Sequence, residues 1–107
     1  SYQCKIIFNS YVFYARTYVY KEIIFTVVNN ENCFDNIFWG IKFIEHDDYT
    51  YQSKTINYFA LEKMQQFFEN KNLKIIKHKI GYPALVEHKQ IALSFTHHGN
   101  FVGYAFK

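Results

Sequence analysis

Glycine and proline are scarce in this 107-residue chain, which contains four glycines and one proline. It has no glycine-rich loop that could surround a phosphate and no Gly-x-Ser-x-Gly turn that would expose a nucleophilic serine. No apolar run approaches the roughly 18 residues needed to span a bilayer, and no basic N-terminal region precedes an apolar stretch. These absences argue against a P-loop enzyme, a serine hydrolase and a membrane protein, and they predict a cytoplasmic protein.

Cysteine is also rare, with Cys4 and Cys33 as the only two. Both lie beside apolar, strand-like residues, and there is neither a Cys-x-x-Cys pair nor a neighbouring histidine that would activate a thiol. A catalytic cysteine is therefore disfavoured. Their spacing allows either one disulfide bond or two buried free thiols, and we favour free thiols.

Apolar residues make up half of the chain, and twelve Phe and ten Tyr supply ample material for a core. This composition excludes intrinsic disorder, and the length fits one domain over residues 1–107. The net charge of +3 is spread along the chain, so it permits a phosphate-bearing ligand without requiring one. The basic stretch at 71–79 alternates lysines with core-type aliphatic residues, which is typical of an exposed strand face and argues against nucleic-acid binding.

Strand-like residues dominate the first part of the sequence. Three β-branched and aromatic runs predict strands at 4–8, 11–28 and 37–44. From Thr55 the apolar residues recur at steps of three and four, which predicts a helix capped by Ser53 or Thr55. Its apolar face comprises Ile56, Phe59, Ala60, Met64, Phe67 and Phe68.

Four more strand-like runs follow the helix, at 73–80, 84–87, 90–95 and 101–106. The order of strands, one helix and strands predicts an α+β fold in which one long helix packs across an antiparallel sheet. The loop at 45–48 reads Glu-His-Asp-Asp and offers cation ligands. Adjacent loop residues rarely converge on one ion, however, and acidic residues before a helix also stabilise its N-terminal dipole, so we expect no metal site there.

The last part of the chain carries a short motif. Gly81-Tyr82-Pro83 is followed by Thr96-His97-His98 before Gly99, and then by a strand at 102–106. This succession resembles the 4'-phosphopantetheinyl transferase superfamily, in which a Gly-Lys-Pro turn precedes a strand ending in Ser-His-Ser and then an Ala-rich strand. The resemblance covers residues from Thr55 to the end and implies a half domain with a helix laid across its sheet.

The resemblance also implies a ligand and a partner, namely coenzyme A and an acyl or peptidyl carrier protein. His97 would contact a phosphate of coenzyme A with Thr96 as its hydroxyl neighbour, since both side chains can donate to phosphate oxygens. The complete set of expected ligand-binding residues is Thr96, His97, His98, Lys79, Gly81 and Pro83, and Lys77 or Lys89 could add charge. The alternative is that His97 and His98 only fill a turn before Gly99.

Three departures from the family pattern bear on catalysis. Tyr82 replaces the lysine of the Gly-Lys-Pro turn. In the stretch at 39–45, Lys42 stands where single-half members carry a metal-binding aspartate. In the predicted helix, the chain reads Glu62-Lys63 where those members carry Lys-Glu. A lysine would repel Mg²⁺, so these residues argue against magnesium-dependent transfer by this chain alone.

Two functions therefore remain open. The first is a transferase-like half domain that is degenerate or needs a second half, and no catalytic residue is assigned to it. The second is a non-catalytic protein-interaction module that acts through a sheet edge and exposed aromatic residues, with another protein or a second copy of the chain as its partner.

Overall fold

The computed structural model describes residues 2–88 and 90–107, which form two compact units. The first unit ends at Asn36, and the second is Ile37–Lys107. The described residues contain one helix, and their strands pair antiparallel, so the predicted α+β character is confirmed. The single domain over residues 1–107 stays a prediction, and each unit is described by itself.

The first unit is a three-stranded meander of β1 (Tyr2–Phe8), β2 (Tyr11–Tyr20) and β3 (Ile23–Asn29). Asn9 and Ser10 join β1 to β2 with φ values of 46° and 70°, and two positive φ values are what the tight type I′ hairpin turn requires. The prediction of one strand over 11–28 was wrong. The chain reverses at Lys21, which has a φ of 55°, because the charged pair Lys21-Glu22 interrupts the apolar run.

The second unit is built on a three-stranded antiparallel sheet and one helix. Its elements in chain order are β4 (Phe38–Phe43), α1 (Tyr49–Phe67), β5 (Ile75–Lys77), β6 (Pro83–Leu85), β7 (Leu93–His98) and β8 (Phe101–Phe106). The sheet order is β4-β8-β7, so the C-terminal strand lies in the centre, and β5 and β6 form a separate hairpin.

One face of α1 packs on the central strand of this sheet. Ile56, Ala60 and Met64 are each at most 2% exposed, and they share a core with Val102 and other residues of β8. Their spacing of four residues places them on one side of the helix. The predicted packing of a long helix across an antiparallel sheet is therefore confirmed.

The helix begins earlier than the sequence suggests. It starts at Tyr49, and the Asp48 carboxylate caps it by accepting a hydrogen bond from the backbone N–H of Tyr51 at 3.1 Å. The prediction of a cap at Ser53 or Thr55 was wrong, because the helix gains its first turn and a half from residues with little apolar periodicity.

In the described ranges, no helix combines the length and the apolar character that crossing a membrane would take. Cys4 and Cys33 are both free and exposed rather than buried.

Candidate functional site

An open pocket of about 310 Å³ lies in the second unit, between the N-terminal half of α1, strand β7 and the β5–β6 hairpin. Three separate stretches of sequence contribute to its wall. The lining residues are Tyr49, Ser53, Ile56, Asn57, Ile75, Ile76, Lys77, Gly81, Pro83, Phe95 and His97. The volume falls at the lower end of ordinary small-molecule sites.

The helix wall of the pocket follows from the early start of α1. Tyr49, Ser53 and Asn57 are spaced by four residues, so they form one stripe along the helix. All three residues line the pocket, as does the buried Ile56 of the same helix. This stripe gives the pocket three polar groups that sequence reasoning missed.

The turn between β7 and β8 is fixed to its surroundings by three hydrogen bonds. The Gln52 side chain, which is 5% exposed, donates from Nε2 to the carbonyl of Gly99 at 2.6 Å. Asn100 donates from Nδ2 to the carbonyl of Ile44 at 3.0 Å, and the Ile44 N–H donates to the carbonyl of Asn100 at 2.7 Å. The Gln52 bond ties the turn after His97 to the first part of α1, and the two bonds to Ile44 tie it to the end of β4.

His97 is the imidazole at the rim of the pocket. Its ring is exposed and meets the Tyr49 ring edge to face, with centroids 5.3 Å apart and planes at 79°. Phe95 lies two residues earlier on the same side of β7 and deepens the apolar wall. His97 is therefore presented to solvent beside the first residue of the helix.

The hairpin wall owes its shape to a three-residue turn. The backbone N–H of His78 donates to the carbonyl of Tyr82, and the N–H of Gly81 donates to the carbonyl of His78, both at 2.7 Å. Gly81 has a φ of +105°, a conformation that glycine adopts without steric cost. The rings of His78 and Tyr82 stack at 4.3 Å with an interplanar angle of 9° and stiffen the turn.

The lining residues favour a negatively charged ligand. Lys77 contributes a cation, while His97, Asn57 and the hydroxyls of Tyr49 and Ser53 can all donate hydrogen bonds. The lining set includes neither Asp nor Glu. An anion would therefore meet donors without like-charge repulsion from the pocket wall.

The structure brings together some of the residues expected from the sequence and separates others. Gly81, Pro83 and His97 line the pocket together with Lys77. Successive strand residues point to opposite faces, so Thr96 and His98 lie on the side of β7 away from His97. Lys79 lies in the exposed turn and outside the lining set. Lys89 lies outside the described residues.

Two residues of the 45–48 loop, in which we expect no metal site, make contacts with the first turn of α1. Asp48 caps the helix, and His46 packs edge to face on Tyr51, with ring centroids 5.0 Å apart. Throughout residues 2–88 and 90–107, no group of three His, Cys, Asp or Glu side chains is arranged to hold a metal ion. On β4, the Lys42 ammonium lies 5.7 Å from the centre of the Phe59 ring, so it contacts the helix.

Comparison of this chain with family models, with curated proteins and with solved structures finds no match.

Proposed function

We propose that the second unit is a phosphopantetheinyl-transferase-like half domain that binds a phosphate of coenzyme A in the pocket beside His97. The proposal rests chiefly on one observation. A single concave site collects Lys77, Gly81 and Pro83 of the β5–β6 hairpin with His97 of strand β7. These residues belong to the stretch that resembles the superfamily.

The polar groups of the pocket suit a phosphate. An ammonium and an imidazole both form strong hydrogen bonds to phosphate oxygens, and the hydroxyls of Tyr49 and Ser53 can supply two further donors. In this arrangement the hydroxyl neighbours of His97 come from the helix, whereas the sequence motif would pair His97 with Thr96.

The size of the pocket limits how much ligand it would hold. At about 310 Å³ it would take the phosphate-bearing end of coenzyme A and leave the remainder on the surface. A ligand held by one end binds through a few charged contacts, so its affinity should fall with ionic strength.

Magnesium does not fit the residues of this unit. Lys42 occupies the strand position at which the family resemblance expects an acidic metal ligand, and its ammonium contacts the Phe59 ring. A positive charge there repels a divalent cation. Transfer of phosphopantetheine to a carrier-protein serine would therefore need acidic groups from a second half or a partner, and this chain would contribute the phosphate-binding pocket.

The decisive experiment is a calorimetric titration of the purified chain with coenzyme A, repeated with matched variants. His97→Ala should weaken binding by about tenfold or more, since a hydrogen bond to a charged group contributes about 1.5–3 kcal/mol. His98→Ala is the control, because it removes the same ring from the opposite face of β7. Lys77→Gln and Lys79→Gln form a second pair, with the larger loss expected at Lys77 because it lines the pocket.

Three results would contradict the proposal. They are the absence of heat on titration, equal losses from His97→Ala and His98→Ala, and an affinity that does not change with salt. If coenzyme A binds as expected, transfer to a carrier protein should then be assayed with and without Mg²⁺ and with candidate second halves. Transfer by the isolated chain that depends on Mg²⁺ would contradict the assignment of a separate acidic partner.

A further inference from the structure

The three-stranded sheet of the first unit has two faces of different character. Residues directly opposite each other in an antiparallel pair lie on the same face, so the register assigns every strand residue. We call one side the open face, and it consists of Tyr2, Cys4, Ile6, Phe8, Tyr11, Phe13, Ala15, Thr17, Val19, Ile24, Thr26 and Val28. The intervening residues form the covered face.

The covered face is packed by the chain segment that follows β3. Gln3 donates a hydrogen bond to the Asn32 side chain, and the Arg16 guanidinium lies 4.9 Å from the centre of the Phe34 ring. Beside them Val27 is only 5% exposed. The segment at 30–34 therefore shields the part of this face around Arg16 and Val27, whereas Ile7 and Tyr20 on the same face are 69% and 68% exposed.

The open face has large apolar side chains in contact with solvent. Tyr2, Tyr11 and Phe8 are 65–74% exposed, Ile24 is 73% exposed, and Val19 and Val28 are each 56% exposed. None of its twelve residues carries a charge. With full aromatic areas of about 200 Å² and aliphatic side chains of about 100 Å², the exposed apolar surface is roughly 600 Å².

This area decides what kind of partner fits. A standard protein interface buries about 800 Å² on each partner, and the large apolar residues of the open face supply most of that. Isolated three-stranded sheets also need an apolar face covered to be stable. A partner that presents an equally flat, uncharged and apolar surface would satisfy both requirements.

We propose that the partner is a second copy of this chain, with the two open faces packed against each other across a two-fold axis. Two copies of a chain with a net charge of +3 repel each other. The electrostatic repulsion is smallest when they associate through a face that has no charged residues. The dimer does not depend on the proposed function, because the coenzyme A pocket lies in the second unit.

Analytical ultracentrifugation of matched lysine variants tests the dimer. The unaltered chain should sediment with twice the mass of one chain in the micromolar range. Ile24→Lys places a charge on the open face and should raise the dissociation constant about tenfold or more. Ile7→Lys is the control, since Ile7 is 69% exposed but belongs to the covered face, and it should leave the dimer intact.

The two cysteines provide an independent readout. Cys4 is an open-face residue, whereas Cys33 lies in the segment that shields the other side. On dimerisation, alkylation of Cys4 should slow about tenfold or more and depend on protein concentration, while alkylation of Cys33 should stay constant. In the Ile24→Lys variant, protection of Cys4 should appear only at about tenfold or more higher protein concentration.

Several outcomes would overturn the proposal. A monomer throughout the concentration range is one, and a dimer equally weakened by Ile24→Lys and Ile7→Lys is another. A monomer in which Cys4 is nevertheless protected would mean that the chain covers its own open face, which also contradicts a dimer. Coenzyme A binding that persists in any of these cases would leave the proposed function standing on its own.

Discussion

Gly40 leaves no room for even one methyl group, which makes it a sharp test of the packing between β4 and β8. A Cβ at this position would lie 2.8 Å from Cε1 and 2.9 Å from the hydroxyl oxygen of Tyr104, well inside the optimum of about 3.5–4.0 Å between carbon atoms. The ring has little freedom to retreat. Phe59 packs on it edge to face at 5.2 Å, and Phe106 stacks beside it at 6.0 Å.

The expected cost of Gly40→Ala follows from two opposing effects. Overpacking a filled core costs about 1–3 kcal/mol. Against this, alanine has a smaller conformational entropy cost than glycine in a strand, which stabilises the folded state by roughly 0.5–1 kcal/mol. The free energy of unfolding should therefore fall by about 1–2 kcal/mol, a net loss that comes from the clash.

A double-mutant cycle with Tyr104→Val isolates the clash. Valine keeps a strand-forming residue but removes the ring, so in that background Gly40→Ala should be neutral or stabilising. Urea unfolding monitored by the fluorescence of the neighbouring Trp39 gives the four free energies. If Gly40→Ala is harmless in the original chain, or equally costly in both backgrounds, the contact with Tyr104 is not the reason for glycine here.

Three further predictions concern the caps, turns and core. Asp48→Ala should lower the free energy of unfolding by about 1 kcal/mol through loss of the helix cap, whereas Asp47→Ala removes the same charge and should change it little; equal losses in urea unfolding would refute the capping role. Ser10→Gly should raise the melting temperature because Ser10 has a φ of 70°, and Ser94→Gly in the regular strand β7 should lower it; a decrease in both would contradict the turn geometry. Burial raises the pKa of Tyr104 above its usual value near 10. The buried neutral phenol therefore contributes fully to stability below about pH 10, and this contribution is lost as the pH rises through the folded-state pKa. In urea unfolding at alkaline pH, the Tyr104→Phe variant should therefore lose less stability than the original chain. Parallel losses in the two proteins would argue against this effect of burial.

The sequence predicted best those parts of the fold in which apolar periodicity is strong. Ile56, Ala60 and Met64 recur at helical spacing, and they are buried in the core that α1 shares with the sheet. The start of the helix was missed because the first residues from Tyr49 are polar or aromatic and show no such period. The reversal at Lys21 was missed because strand-forming residues lie directly on both sides of Lys21-Glu22, and the two charged residues alone did not indicate a turn.

The candidate site was predictable only in part. The motif pointed to Gly81, Pro83 and His97, which the pocket does bring together. It also grouped Thr96 with His97 because they are adjacent in sequence, although the two-residue period of a strand already puts them on opposite faces. Tyr49 and Ser53 could be found only once the true start of the helix was known.

The tight connection between β7 and β8 makes one part of the second unit intolerant of changes in chain length. Hydrogen bonds join the carbonyl of Gly99 to α1, and the carbonyl and side-chain amide of Asn100 to Ile44 at the end of β4. An inserted residue would therefore break the bonds of this turn to both elements. The tip of the β5–β6 hairpin at 79–80 is exposed and carries no comparable ties to α1 or β4 among the described residues. Natural insertions, protease nicks or an engineered new terminus should therefore be accommodated at the hairpin tip, beside the pocket and without disturbing its helix wall.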